Sequence, residues 1–277
     1  MLFRYVAIIL VVLVFGGCAT NPGMKQLVQS HHDKPIKVLL SEVPLNIEQS
    51  RLQAVFMSDK KSQSKAAISS GTERAQLNAF ELMKTMLEKQ RSFVVISVPV
   101  AAKGNVDNIL KRDLDHPLSQ TEADAIHEAT GADALLRFRI TDYGLTPKSW
   151  RDGYIAFEVT STLAIAGAIA YTGSTAAHAA AGGYLAQEAV EETTEAYAGF
   201  WGLDVVTRPV RLEAELIRLH PVETVWETDE TGMSDIKISR VTRSVPVSER
   251  DMQLEQSTNH AVNDISTDLT KSISECE

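Results

Sequence analysis

Apolar and polar positions along this chain switch between a period of two and a period of three to four, and the switches mark its elements. Ile36–Leu40 is a compact apolar run closed by Pro44, which predicts a first strand. Residues 58–71 are rich in Ser and Lys and read as a solvated loop. Ser70 and Glu73 then stand at capping-box spacing ahead of Leu77, Phe80, Met83 and Leu87, one face of a helix. A β-branched run over 93–98 predicts a second strand.

The unit then repeats. Ser119 and Glu122 form another capping box, Ala123 and Ile126 give that helix its apolar side, and Gly131 fits its C-terminal stop. A third strand follows over 134–140 and ends at Asp142, Tyr143 and Gly144. Further on, Val210, Leu212, Ala214 and Leu216 alternate with Arg211, Glu213 and Glu215, the pattern of a half-buried strand. Residues 220–224 turn the chain and 225–228 return it, giving a hairpin that ends near Gly232; Ile236, Ile238 and Val241 are candidates for a further edge. Leu254, Thr258, Val262, Ile265, Leu269 and Ile273 recur every three or four residues, an amphipathic helix suited to covering the sheet. The expected fold is α+β: a mixed β-sheet flanked by helices, in the order strand-helix-strand-helix-strand, then hairpin and C-terminal helix.

One stretch breaks the pattern. With His178 neutral, residues 159–187 carry no charge, and the segment is filled with Ala, Gly, Ser and Thr. Three readings compete. In a helical hairpin broken near 172–174, Ala164 and Ala168 put small residues at i, i+4 and let backbones approach closely. In a β-strand, Ile155, Phe157, Val159, Leu163, Ile165, Ile169 and Tyr171 share one parity. A single transmembrane helix is the third reading. Alanine density favours the helical hairpin, because alanine is the best helix former and is depleted in strands. The Ala/Gly-rich insertion is placed at 155–202, within an α+β domain at 35–277. Its interaction candidates are Ala164, Ala168, Tyr184, Tyr197 and Trp201; Trp150 and Trp201 flank it as interfacial or core aromatics.

Composition sharpens the picture by exclusion. A formal net charge of −9 with no basic run gives nucleic-acid binding little electrostatic basis. A hydrophobic fraction of 44% is ordinary for a folded chain. No HExxH or paired-Cys spacing, nucleophile elbow, phosphate loop or dinucleotide fingerprint is present, so no catalytic, cofactor or metal residue is assigned and no enzyme activity is expected. His31, His32 and Asp33 read as solvated loop, and Glu188, Glu191, Glu192 and Glu195 as a solvated helix face.

The first residues supply an address. Arg4, an apolar run over 5–15, then Gly16, Gly17 and Cys18 describe an export signal too short to span a bilayer. The small pair before the cysteine resembles a bacterial lipoprotein signal, which implies a signal peptide at 1–17 and lipidation (palmitate) on Cys18. Ala19 in place of aspartate implies, by the same resemblance, the outer membrane, with the protein facing the periplasm. Residues 18–34 are then expected to be a polar tether. With Cys18 acylated, Cys276 has no partner for a disulfide and reads as an idle thiol at a fraying terminus.

Two segments carry a further resemblance. "AIHEATGADALLRFRITDYG" (125–144) and "VRLEAELIRLHPVETVWETDETG" (210–232) resemble the small envelope lipoproteins of the CsgG, LpoB and TolB N-terminal kind. That resemblance implies a non-enzymatic assembly or accessory factor of the cell envelope, held to the membrane by lipid and associating with itself or with an envelope protein. The alternative it implies is a subunit of a CsgG-like secretion pore that inserts 155–202 into the membrane.

Overall fold

The computed structural model describes residues 21–32, 34–41, 44–48, 51, 52, 55, 65–99, 103–154 and 199–276. The mixed α+β architecture is the expected one: a five-stranded sheet flanked by helices. Its strands are β1 (Ile36–Leu40), β2 (Phe93–Ile96), β3 (Ala134–Tyr143), β4 (Val210–Arg218) and β5 (Glu223–Gly232). They lie in the order β2-β1-β3-β4-β5. β1 is parallel to both β2 and β3, while β3, β4 and β5 are antiparallel. β1 sits inside the sheet with both faces covered, which explains its near-continuous apolar run. The outer strand β5 carries Glu223, Glu227, Asp229 and Glu230, charges that discourage pairing with another chain at this edge.

One face of the sheet packs against three helices: α1 (Pro22–Ser30), α2 (Lys65–Glu88) and the long C-terminal α5 (Val247–Ser274). Val38, Leu136, Phe138, Leu212 and Leu216 on the sheet meet Met83 and Leu87 of α2 and Val262, Ile265 and Leu269 of α5. The other face is half covered by α3 (Lys103–Leu110) and α4 (Gln120–Thr130) over Leu39 and Leu135. Beyond them it is a charged ladder. Arg137 pairs with Glu215 and Arg139 with Glu213, each pair directly opposite in the β3–β4 register.

Helix α4 is the element the sequence describes best. Ser119 Oγ accepts from the Glu122 amide and the Glu122 carboxylate accepts from the Ser119 amide, while Gly131 closes the helix at φ 71°. The Ser119 amide and hydroxyl, then Arg112, hold the Glu122 carboxyl below the ordinary glutamate range. Because the folded value is depressed, this contribution is complete above 4.5 and is lost as pH falls through the lowered folded value. Ser119→Ala should cost about 1 kcal/mol at neutral pH and should flatten this acid limb. Urea denaturation of both proteins at neutral and acid pH checks it; an unchanged midpoint difference across that range would contradict the assignment.

Several expectations change. Residues 21–33 are not a tether through their length: α1 forms there, capped by Asn21, and buries Met24, Leu27 and Val28. The apolar positions of α1 sit at i, i+3 and i+4, a signal obscured by the flanking Pro, Gly and His residues. Helix α2 starts at Lys65, so Ser70 lies inside it rather than capping it and 65–71 is not loop. Its inward line is Ala75, Ala79, Met83 and Leu87, while Leu77 is 62% exposed, because alanines let α2 lie close to its neighbours. Ile236 and Ile238 form no edge strand; both are 75% exposed, Ile238 in a 3-10 turn. Cys276 is packed in the main core, and this burial pushes its thiol pKa up.

Candidate functional site

Tyr143 at the end of β3 pairs with Val210 at the start of β4, and the Gly144 amide donates to the Pro209 carbonyl. Residues 144–209 thus occupy the place of a hairpin turn between two adjacent strands. Gly144 leaves β3 at φ 76°, and a Cβ there would lie 2.8 Å from Leu254 and 2.9 Å from Val55, so both conformation and space demand glycine. Two helical runs, 148–154 and 199–207, form the base of the insertion.

These runs are held by a buried polar knot around Thr146, which is fully buried. Asp204, from the returning arm, accepts from both the Thr146 amide and its hydroxyl (2.6 Å) and from Arg151 of the outgoing arm (2.6 Å). The Thr146 carbonyl in turn accepts from Arg51 (3.0 Å) and from Arg151 Nε (3.1 Å). Beside the knot, burial pushes the Asp142 carboxyl up while Arg51, at 2.8 Å, pulls it down. Arg211 of β4 reaches Ser149 and Asp229, fastening the outgoing arm to the sheet.

The returning arm is caught at its C-terminal end, where helix carbonyls lack partners of their own. Gln253 of α5 donates to the carbonyls of Val205 and Val206, Arg240 to that of Val206, and Ser257 to that of Thr207. Each of these donors is buried. Both arms are therefore fixed to the body by side-chain hydrogen bonds.

Above the knot stands an aromatic collar. Tyr154 and Phe200 meet edge to face at 5.7 Å, and the Arg151 guanidinium lies 5.4 Å from the Phe200 ring centre. Trp150, Tyr154 and Trp201 are 42%, 38% and 48% exposed. Both flanking tryptophans are thus surface residues rather than core. Exposed large aromatics beside an arginine are the composition of a binding hot spot.

Of the expected interaction residues, Trp201 follows Phe200 on the returning run and is exposed; Ala164, Ala168, Tyr184 and Tyr197 lie outside the described residues, as do Cys18 and 159–187. Asp204, Thr146, Arg151, Tyr154 and Phe200 were not anticipated from the sequence, although Trp150 and Tyr154 do stand at i, i+4. His31 Nδ1 lies 2.9 Å from the Leu27 carbonyl and its Nε2 lies 3.2 Å from Asp133, so its contacts are those of a helix terminus. Among the described residues no group of His, Cys, Asp and Glu is placed to hold a metal ion, and no helix is long and apolar enough to cross a membrane.

No family model matches the chain, and no curated protein matches it. Among solved structures it is similar to the hypothetical protein CT253 from Chlamydia trachomatis, at 8% identity and a TM-score of 0.37, over 86% of this chain and 98% of the other. It is also similar to the LpoB C-terminal domain from Salmonella enterica, at 11% identity and a TM-score of 0.26, over 77% of this chain and 97% of the other. At these values no residue role transfers from either.

Proposed function

We propose that this chain is a lipid-anchored accessory factor of the cell envelope, non-enzymatic, facing the periplasm from the outer membrane, and docking a partner through the insertion between β3 and β4. The observation that supports the docking role is the exposed collar of Trp150, Tyr154 and Trp201 on a base clamped by buried polar side chains. A connection with no task beyond joining two antiparallel neighbours needs only a few residues. Here the connection is long, uncharged over 159–187, and rooted in its own polar knot.

Two variants test this reading in cells. Cys18→Ser should abolish palmitate incorporation and move the protein from the membrane fraction to the soluble periplasm; a mutant that stays labelled and membrane-bound rules out the anchor. Trp150→Ser, Tyr154→Ser and Trp201→Ser combined keep the clamped base and should leave the body folded and membrane-bound, with the envelope phenotype of a deletion strain. Wild-type behaviour of that variant would remove the docking role.

A further inference from the structure

We propose that the turn between β5 and α5 is a lipid-contact site: Ile236 and Ile238 enter the boundary between headgroups and acyl chains of a bilayer, and Lys237 and Arg243 meet anionic headgroups. The proposal concerns this turn alone and stands apart from the anchor proposed for Cys18.

Exposed apolar side chains are unevenly placed on this molecule. Apart from Trp150, Tyr154 and Trp201, seven large hydrophobic residues are exposed among the described residues. Five of them follow one another from the end of β5 to the second turn of α5: Ile236, Ile238, Val241, Val247 and Met252. Ile236 and Ile238 are each 75% exposed, the highest of the seven. Single exposed apolar residues are ordinary, but a run of them on one short connection marks a contact surface.

The isoleucines are held outward by the way the turn is tied down. Arg240, 2% exposed, donates to the carbonyls of Val206 (2.6 Å) and Asp235 (2.7 Å) and pairs with Glu249 (3.0 Å). The Ser234 amide donates to the Thr207 carbonyl, and the amides of Arg240 and Val241 close the 3-10 turn on the carbonyls of Lys237 and Ile238. A buried arginine thus fixes the backbone of 234–241 to the body, while the two isoleucines on either side of Lys237 stay in water. Leaving aliphatic surface hydrated forgoes burial free energy that a lipid contact recovers.

The chemistry of the turn selects lipid over protein. Protein hot spots favour tryptophan, tyrosine and arginine and are poor in leucine and valine. This turn offers isoleucine, valine and methionine. Its apolar groups also project outward, and a fluid bilayer accepts them in any arrangement, whereas a protein must supply a matched surface. Charge points the same way. In a chain of net charge −9, residues 233–248 carry Lys237, Arg240 and Arg243 against Asp235 alone. Glu249 contacts both Arg240 and Arg243, and even with it counted the segment is positive. Aliphatic side chains interleaved with cations suit the interfacial zone, apolar groups below the phosphates and cations beside them.

The test uses the full chain with vesicles of phosphatidylethanolamine and phosphatidylglycerol. An environment-sensitive dye is placed at Ile238→Cys or, on α4 across the sheet, at Glu128→Cys; Cys276 is buried and stays unlabelled. Emission from position 238 should move to the blue and fall several-fold when the acyl chains are brominated, while position 128 reports water throughout. With the dye moved to Ser239→Cys, adding Ile236→Ser and Ile238→Ser should remove both responses and leave the urea midpoint unchanged, because both side chains are exposed in the fold. Omitting the anionic lipid, or raising the salt, should weaken the response, since Lys237 and Arg243 then lose their partners. A dye at 238 that stays in water on vesicles, or a response that survives loss of both isoleucines, overturns the proposal. A blue shift that appears without vesicles and grows with protein concentration also overturns it, because a second copy of the chain then covers the turn. Emission is read at the turn whether or not Cys18 carries lipid, so failure of the anchor and failure of this contact give different results.

Discussion

Gly232→Ala is expected to destabilise the protein by about 3–5 kcal/mol, the largest effect expected at any of the described glycines. A Cβ at Gly232 would sit 2.0 Å from the Ser257 carbonyl oxygen and 2.5 Å from the Ala261 amide nitrogen. Both are backbone atoms of α5, so no side-chain rotation relieves the clash and the helix itself must move off β5. That movement would also disturb the insertion, because Ser257 donates to the Thr207 carbonyl one turn from Gln253 and its two carbonyl partners. Urea denaturation measures the loss. A change below about 1 kcal/mol would mean that α5 is not seated on β5 this closely.

The second large effect is at Asp204. Asp204→Ala removes at once the acceptor of the Thr146 amide, of its hydroxyl and of Arg151, at a place where Thr146 is closed to water. Orphaned buried donors cost about 1–3 kcal/mol each, with partial relief as Arg151 turns to solvent, so a net loss of about 3 kcal/mol is expected. Asp204→Asn keeps Oδ1 as the acceptor for both Thr146 donors but places an amide NH2 where Oδ2 accepted from Arg151, so only the Arg151 ion pair is lost and the cost should be smaller. Equal losses in the two variants would show that the charge, not the pair of Thr146 bonds, holds the arms. Hydrogen exchange at the Thr146 amide, fast in Asp204→Ala and slow in Asp204→Asn, reads the same distinction locally.

The body of the fold was legible because its signals are local and periodic. The Ser119–Glu122 box, the stop at Gly131, the alternation along β4 and the three-to-four spacing of α5 each depend on residues close in sequence. Helix α1 was hidden by its brevity and by residues that usually punctuate loops. Leu77 misled because α2 has alanines on its inward side, and the apolar count alone points to the wrong face. The candidate site was only half visible. Trp150 and Trp201 stand out by type, but the knot beside them joins Arg51, Thr146, Arg151 and Asp204, residues up to 153 positions apart that read as ordinary solvated side chains until the strands bring them together.

The position of the insertion also separates what the protein presents from what keeps it folded. The β3–β4 register is set by opposed pairs such as Arg137–Glu215 and Arg139–Glu213 and by the apolar residues between them, none of which belongs to the connection. Doubling the length of a flexible connection adds only about 0.6 kcal/mol to the cost of closing it. The arms below the collar are fixed independently of whatever they carry. Such a mount can exchange or lengthen its head without renegotiating its core, so the docking specificity proposed for this chain is free to diverge faster than its fold.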